Sequence, residues 1–474
     1  MHPLRYLLVV VAAVAAAWVS VVALRREPPA PPQDGGVALT PTGRSALVYL
    51  DLDAEGRLAL ARENLGRMAS DVAQRLGELK NEIALLCLDP KVVDLVAGEW
   101  RIAEASGNFY AISAFADLFA LVRHPSFVEP TAFLLRSDDK VLRAKGVQAA
   151  ETQLAAPLLP GLLFALEKGR EENQDQTILT RALAVRTAAR IGGALAAPVF
   201  QAALVDPAPE VAVAAVDAID ELELAAALPD VRAFFRRTKD VRSKIHAAVA
   251  LRREPEAREH LFASLDPRDP GAAFEATSLL LKRRTPGALE RFRELLPQAT
   301  GDVHRAFKTA LVAYGDEEAR ATLRAAADRP GDPGEVEALG ILAQAGDVGA
   351  LDILLRAAAR ATPHTAPVLG AGVRESGRRE FAPVAAKLLE VPVKHPEQIG
   401  NCTQVAGPEL LPRMVELFDA AKDDDRRRFF AILIKDVGTD AAREALLARR
   451  ARWARIVDWP IRLFDLERLR RGAG

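Results

Sequence analysis

Apolar residues in this chain recur every third or fourth position in short runs, and each run ends at a glycine or a small polar cluster. That spacing puts the apolar side chains on one stripe of an α-helix and does not fit strands, whose period is two. Five of the closing glycines, Gly315, Gly346, Gly377, Gly407 and Gly438, follow at intervals of 31, 31, 30 and 31 residues. Their surroundings agree: "AYGDEEARATLRAAA", "QAGDVGALDILLRAA", "ESGRREFAPVAAKLL", "VAGPELLPRMVELF" and "DVGTDAAREALLARR". Each reads as a helix end, a left-handed residue past the last turn, a polar link and a new amphipathic helix. A fixed period of this length predicts an all-α solenoid of stacked helical hairpins.

The second helix of each unit can be followed back along the chain. It opens at Ser137, Gln174, Asp206, Thr238, Asp266, Thr300, Gly331, Thr362, His395 and Lys422, which makes ten paired-helix units. Prolines such as Pro198, Pro229, Pro383 and Pro412 fall near the starts of first helices, where a missing N–H is harmless. Asp139, Val141 and Arg143 in one unit, and Asp240, Val241 and Arg242 in another, open the second helix with an acid, a valine and an arginine. In this the chain resembles the HEAT-repeat family, including the short bacterial form called HEAT-like or PBS-lyase-type. The resemblance spans roughly Thr131 to Glu467. It implies that the aspartate caps the helix, the valine enters the core and the arginine pairs with an aspartate in the adjacent layer. Units reading "EVAVAA" and "GEVEALG" lack the arginine, so a continuous arginine ladder is not expected.

Ahead of the array the pattern changes. Tyr6 to Leu24 is an uncharged run of 19 residues, long enough to cross a hydrocarbon core. It reads either as a signal peptide cleaved after Ala23 or as an uncleaved anchor. Arg25 and Arg26, directly after that site, favour the anchor. The domain division expected is 1–25 for the signal or anchor, 26–36 for a proline-rich linker, 37–130 for a helical segment capping the array, and 131–474 for the solenoid. Within 37–130 the run "ALVYLDLD" is strand-like. A long helical pattern follows from Gly56 to Leu88, then two helices near Val92–Ala105 and Ala111–Val122. A short tail before the apolar run resembles bacterial export signals, so the body is expected outside the cytoplasm, in the envelope, anchored by one span or secreted if cleaved.

Composition narrows the chemistry. Half of the residues are hydrophobic but only 5% aromatic, a mix of alanine, leucine and valine suited to closely packed helices. The formal net charge is −1, from 63 basic and 64 acidic residues, so nothing draws nucleic acid to the chain as a whole. Cys87 and Cys402 read as small buried apolar residues. "DLDAEG", from Asp51 to Gly56, is half a calcium loop, but Arg62 stands where the loop needs a bidentate acid, so it reads as a polar turn opening a helix. The seven histidines are dispersed without zinc-ligand spacing, and no nucleophile elbow or phosphate loop is present. No catalytic, cofactor-binding or metal residue is therefore assigned, and no cofactor or small-molecule ligand is expected.

One charged feature remains. Ala442 to Gly474 carries nine arginines against four acids, interleaved with Trp453, Trp459 and Phe464. It reads as a solvated cap, with Arg449, Arg450, Arg452 and Arg455 as a candidate docking patch for an acidic partner or lipid head groups. The functional reading is a membrane-tethered, non-enzymatic scaffold that binds another protein or peptide. Two alternatives stay open: a solenoid enzyme of the bilin-lyase or base-excision kind that the resemblance also covers, and an extracytoplasmic ligand sensor acting through residues 37–130.

Overall fold

The computed structural model describes residues 47–472, apart from 71–75, 173–174, 392–398 and 400–401. The apolar run Tyr6–Leu24, the proline-rich linker and the start of the unit opening at His395 lie outside the described residues. The rest is helical, and no strand occurs among the described residues.

The repeat units are where the periodicity puts them. Second helices run Lys140–Gln153, Asp175–Gly192, Pro209–Glu221, Val241–Ala250, Pro270–Arg283, Gly301–Tyr314, Glu335–Gln344 and Thr365–Ser376, with Asp424–Asp436 beyond the incompletely described unit. Each of the first seven packs on the one after it. First helices contact one another far less, so the second helices form the inner layer of the curve and the first helices the outer. The four prolines named above sit in the first turns of Ala197–Leu204, Leu228–Arg237, Ala382–Leu388 and Leu411–Ala420.

Small residues set how closely the inner helices approach. A Cβ added at Gly372 would lie 3.0 Å from the Gly340 carbonyl oxygen and 2.8 Å from the Ala343 Cβ, so Thr365–Ser376 and Glu335–Gln344 meet almost backbone to backbone. Phenylalanines fill the space between layers: Phe200, Phe292, Phe307, Phe381, Phe418 and Phe430 are fully buried. Each such ring stabilises the array by roughly 1.5–3 kcal/mol through apolar burial.

The five periodic glycines all take positive φ. Gly315 and Gly346 close their helices in the same way: the next residue's N–H reaches back to Leu311 or Leu342, and the glycine's own N–H to Val312 or Ala343. Gly407 differs, with φ 55° and ψ −136°. Three earlier units make the same kind of turn without glycine, at Leu154, Glu223 and Arg284, whose φ values are 45°, 51° and 47°.

The segment before Pro130 departs from expectation. "ALVYLDLD" is no strand: Val48–Asp51 is a turn of helix, and Asp53 then accepts from the Gly56 N–H to start Ala54–Ser70. The long helical pattern is divided into Ala54–Ser70 and Leu76–Leu86. Pro90–Ser106 and Phe109–Phe119 follow, capped by Asp89 and Asn108. These helices cover the first repeat, with Phe109–Phe119 packed on Lys140–Gln153. They also meet the other end of the chain. Leu76–Leu86 packs on the last helix, Arg450–Arg471, and Leu47, Tyr49, Ile83 and Val122 share one buried cluster with Ile461, Leu466 and Leu469. The described array therefore closes on itself.

Candidate interaction surfaces and the closure seam

Polar groups on the inner layer are joined from helix to helix. Asp117 accepts from both Lys80 and Lys145. Three helices on, His246 lies between Asp217 and Glu275, with Nδ1 2.6 Å from Asp217 Oδ1 and Nε2 2.7 Å from Glu275 Oε1. Both partners are 29 residues away, one repeat back and one repeat forward. Burial disfavours the imidazolium, but the two carboxylates outweigh it and raise the His246 pKa to about 9. Glu275 is held below its usual range, chiefly by His246, with Arg242 adding to the effect. Near neutral pH both carboxylates are thus engaged by cations, and the group acts as a structural tie between layers. Asp220 similarly joins Arg252 and Arg283. Among the described residues no three His, Cys, Asp or Glu side chains converge on a metal position.

The acid–valine–arginine openings behave only in part as the resemblance implies. Asp139 caps its helix by accepting from the Val141 and Leu142 N–H groups, and Asp240 by accepting from Ser243. Arg143 is buried and reaches Glu172 in the next unit. Arg181, at the equivalent position one unit later, is fully buried against Asp206. Arg242, by contrast, is exposed, and the ladder goes no further in this form. The valines do not enter the core: Val141 is 45% exposed and Val241 53%. Both sit in the first turn, one or two residues past the cap, before the buried face begins at Leu142 and Ser243.

Those exposed valines belong to a row. Tyr110 stands two residues past the cap Asn108, and Val141 two past Asp139. Leu179 precedes Arg181 as Val141 precedes Arg143. Tyr110 and Leu179 are 82% and 67% exposed. Val241 and Phe274 add exposed apolar groups near the starts of two later second helices. Helix periodicity cannot separate Tyr110, Val141 and Val241 from core positions, because their exposure comes from their place in the first turn, and Leu179 and Phe274 lie just beyond it. The equal spacing of Asp217, His246 and Glu275 was visible in the sequence, but only the fold shows that they touch.

The seam is polar as well as apolar. The Tyr49 hydroxyl donates to Asp465 Oδ2 at 2.5 Å, and Arg443 donates to both oxygens of Asp465 at 2.7 and 3.0 Å. Burial, then the Asp465 charge, pushes the Tyr49 phenol far above its ordinary range. The Arg123 N–H bonds to the Leu469 carbonyl at 3.0 Å. Arg450 spans the junction, 3.1 Å from buried Asp458 and 3.4 Å from Asp51.

The four arginines of the candidate patch therefore divide. Arg449 makes paired bonds to Asp419 and lies over the Phe418 ring, and Arg450 helps to hold the seam. They are structural ties and not parts of a solvated cap. Arg452 and Arg455 are exposed, with the Arg452 guanidinium 4.5 Å from the Trp453 ring centre. Trp453 breaks helical geometry (φ −135°, ψ 41°), and the helix continues from there to Arg471. Cys87 and Cys402 are both free and buried, and burial pushes each thiol up to about 12.

No family model and no curated protein matches the chain. Among solved structures, one is titled "Kap95p Binding Induces the Switch Loops of RanGDP to adopt the GTP-bound Conformation: Implications for Nuclear Import Complex Assembly Dynamics". It aligns over 90% of this chain and 72% of its own, at 12% identity and a TM-score of 0.41. The architecture of this chain rests on its own geometry: a helical-hairpin solenoid whose two ends meet.

Proposed function

We propose that the protein is a non-enzymatic scaffold of the HEAT-repeat kind that binds another protein along the starts of its second helices. The row Tyr110, Val141 and Leu179, extended by Val241 and Phe274, carries this reading. Equivalent exposed apolar positions on successive helices offer an extended partner anchors at regular intervals, whereas singly scattered ones would need no explanation. The carboxylates and the histidine on the same layer are engaged with one another, which argues for a binding surface over a catalytic one. The apolar run Tyr6–Leu24 tethers the body to a membrane, and the body lies outside the cytoplasm.

Photo-crosslinking tests the surface. A crosslinking side chain placed at Tyr110, Leu179 or Phe274 in the full-length chain should give one shared adduct in native membranes. One placed at Glu259 on the outer layer should not. Equal labelling from both layers would overturn the reading. A reporter active only outside the cytoplasm, fused after Gly474, should be active; activity from a cytoplasmic reporter alone would reverse the orientation.

A further inference from the structure

Closure of the array places a basic, aromatic surface beside the point where the chain enters the described body. Arg450 contacts Asp51, close after Leu47, so the last helix borders the first described residues. Between Leu24, the end of the apolar run, and Leu47 lie 22 residues (25 to 46), a reach of roughly 80 Å at full extension. A body tethered by that run would therefore keep this surface within the linker's reach of the bilayer.

The exposed part of the last helix is more cationic than its sequence suggests. Of its three acids, Asp458 and Asp465 are buried and held by Arg450 and Arg443, and Glu467 is held by Lys435. Arg452 and Arg455 are exposed, as are Arg470 and Arg471 further along, where Arg471 also reaches Glu467 and half-exposed Arg468 reaches Asp440. Trp459, one helical turn past Arg455, is 49% exposed although tryptophan usually buries its ring. Arg427 and Arg452 both approach the Trp453 ring, at 5.5 and 4.5 Å, which gathers further positive charge beside it. Arginines around an exposed indole suit the boundary between anionic head groups and acyl chains.

We propose that Arg452, Arg455 and Trp459 rest on an anionic lipid bilayer. This rests on the tethered reading above and adds to it a second, electrostatic contact, the kind of paired signal that holds peripheral proteins firmly.

The test uses the full-length chain in vesicles of phosphatidylcholine alone or with phosphatidylglycerol. Brominated lipids quench any tryptophan that reaches the acyl region, and subtracting the signal of Trp459→Phe isolates Trp459. Quenching of that difference signal is expected in the anionic vesicles and should fall at high salt. Arg452→Gln with Arg455→Gln should shift the docked-to-undocked ratio by roughly 25-fold, about fivefold for each arginine removed. A Trp459 signal that is unquenched in anionic vesicles, or equally quenched with and without the two arginines, would overturn the proposal. Flotation with neutral vesicles after high-salt washing tests the tether separately. Loss of flotation refutes the tether, while arginine-dependent quenching in anionic vesicles still supports the surface.

Discussion

Between Leu135 and Leu311, most polar ties link residues one or two repeats apart, Asp220 with Arg283 being two. Asp217 meets His246, His246 meets Glu275, and Arg143 meets Glu172, each across 29 positions. At the seam the partners are 416, 399 and 348 residues apart: Tyr49 with Asp465, Asp51 with Arg450, and Arg123 with Arg471. The middle forms as each hairpin meets its neighbour. The seam can form only after the rest of the array has curved far enough to bring its ends together. Small rotations between layers, set by residues such as Gly372 and Ala343, are summed over the whole array before Asp465 can reach Tyr49. Local interactions thus decide the geometry of the most distant contact in the chain.

The largest predicted effect separates the two regions directly. Asp465→Ala leaves the buried Tyr49 hydroxyl and the Arg443 guanidinium without their partner, a loss of about 3–5 kcal/mol for a buried charge pair broken on one side. Asp206→Ala does the same to Arg181 in the middle, at a similar cost. Both variants should melt earlier, but only Asp465→Ala should raise the radius of gyration in small-angle scattering well below its melting temperature. Equal radii in the two variants would mean that the apolar part of the seam, Leu47 and Ile83 against Leu466 and Leu469, suffices for closure.

A pH experiment probes the middle alone. The His246 pKa is about 9 in the folded chain against 6.5 for a free imidazole, so its contribution is complete below pH 6.5 and lost as pH rises through 9. The shift corresponds to about 3 kcal/mol at most. Stability measured by denaturant should fall between pH 6 and pH 9.5 in the native sequence and much less in His246→Gln. Identical pH profiles for the two would show that the imidazole is not held between the carboxylates in solution.

The same contrast explains what could be read in advance. Repeat boundaries, second-helix starts and capping aspartates follow from local pattern, and the glycines of the later units made the period visible. The seam left no such trace, because Tyr49 and Asp465 have no periodic relation and Tyr49 lies in a run whose alternation looked like a strand. Placing Val141 and Val241 in the core failed for a related reason: hydrophobicity does not tell the first turn of a helix, which projects into solvent, from the turns that follow. The basic tail gave its composition but not its division. Only the closed fold shows that Arg449 and Arg450 hold structure together while Arg452 and Arg455 face outward.

The unit ends provide a smaller effect. Glu223 is exposed and carries the left-handed turn that Gly315 and Gly346 carry later, so Glu223→Gly should stabilise the chain by roughly 0.5–1 kcal/mol. Gly377 has φ 63° and no atom near the position of an added Cβ. Gly377→Ala should therefore cost about 1 kcal/mol through backbone strain alone. Thermal denaturation of the two variants should move in opposite directions; movement in the same direction would show that side-chain contacts outweigh the turn.

The smallest effect falls on the seam's outer surface. Arg452→Gln with Arg455→Gln should change stability by no more than about 0.5 kcal/mol, the range for charges at exposed positions. Arg450→Gln should cost more, because it takes the cation away from buried Asp458, whose carboxyl burial already pushes upward. Replacing all four arginines together would mix these outcomes, and any loss of membrane or partner association could then follow from a weakened seam. The double variant avoids that confusion. If it melts as the native chain does, a change in its association belongs to the surface itself. If it melts earlier by as much as Arg450→Gln, Arg452 and Arg455 are also part of what keeps the array closed.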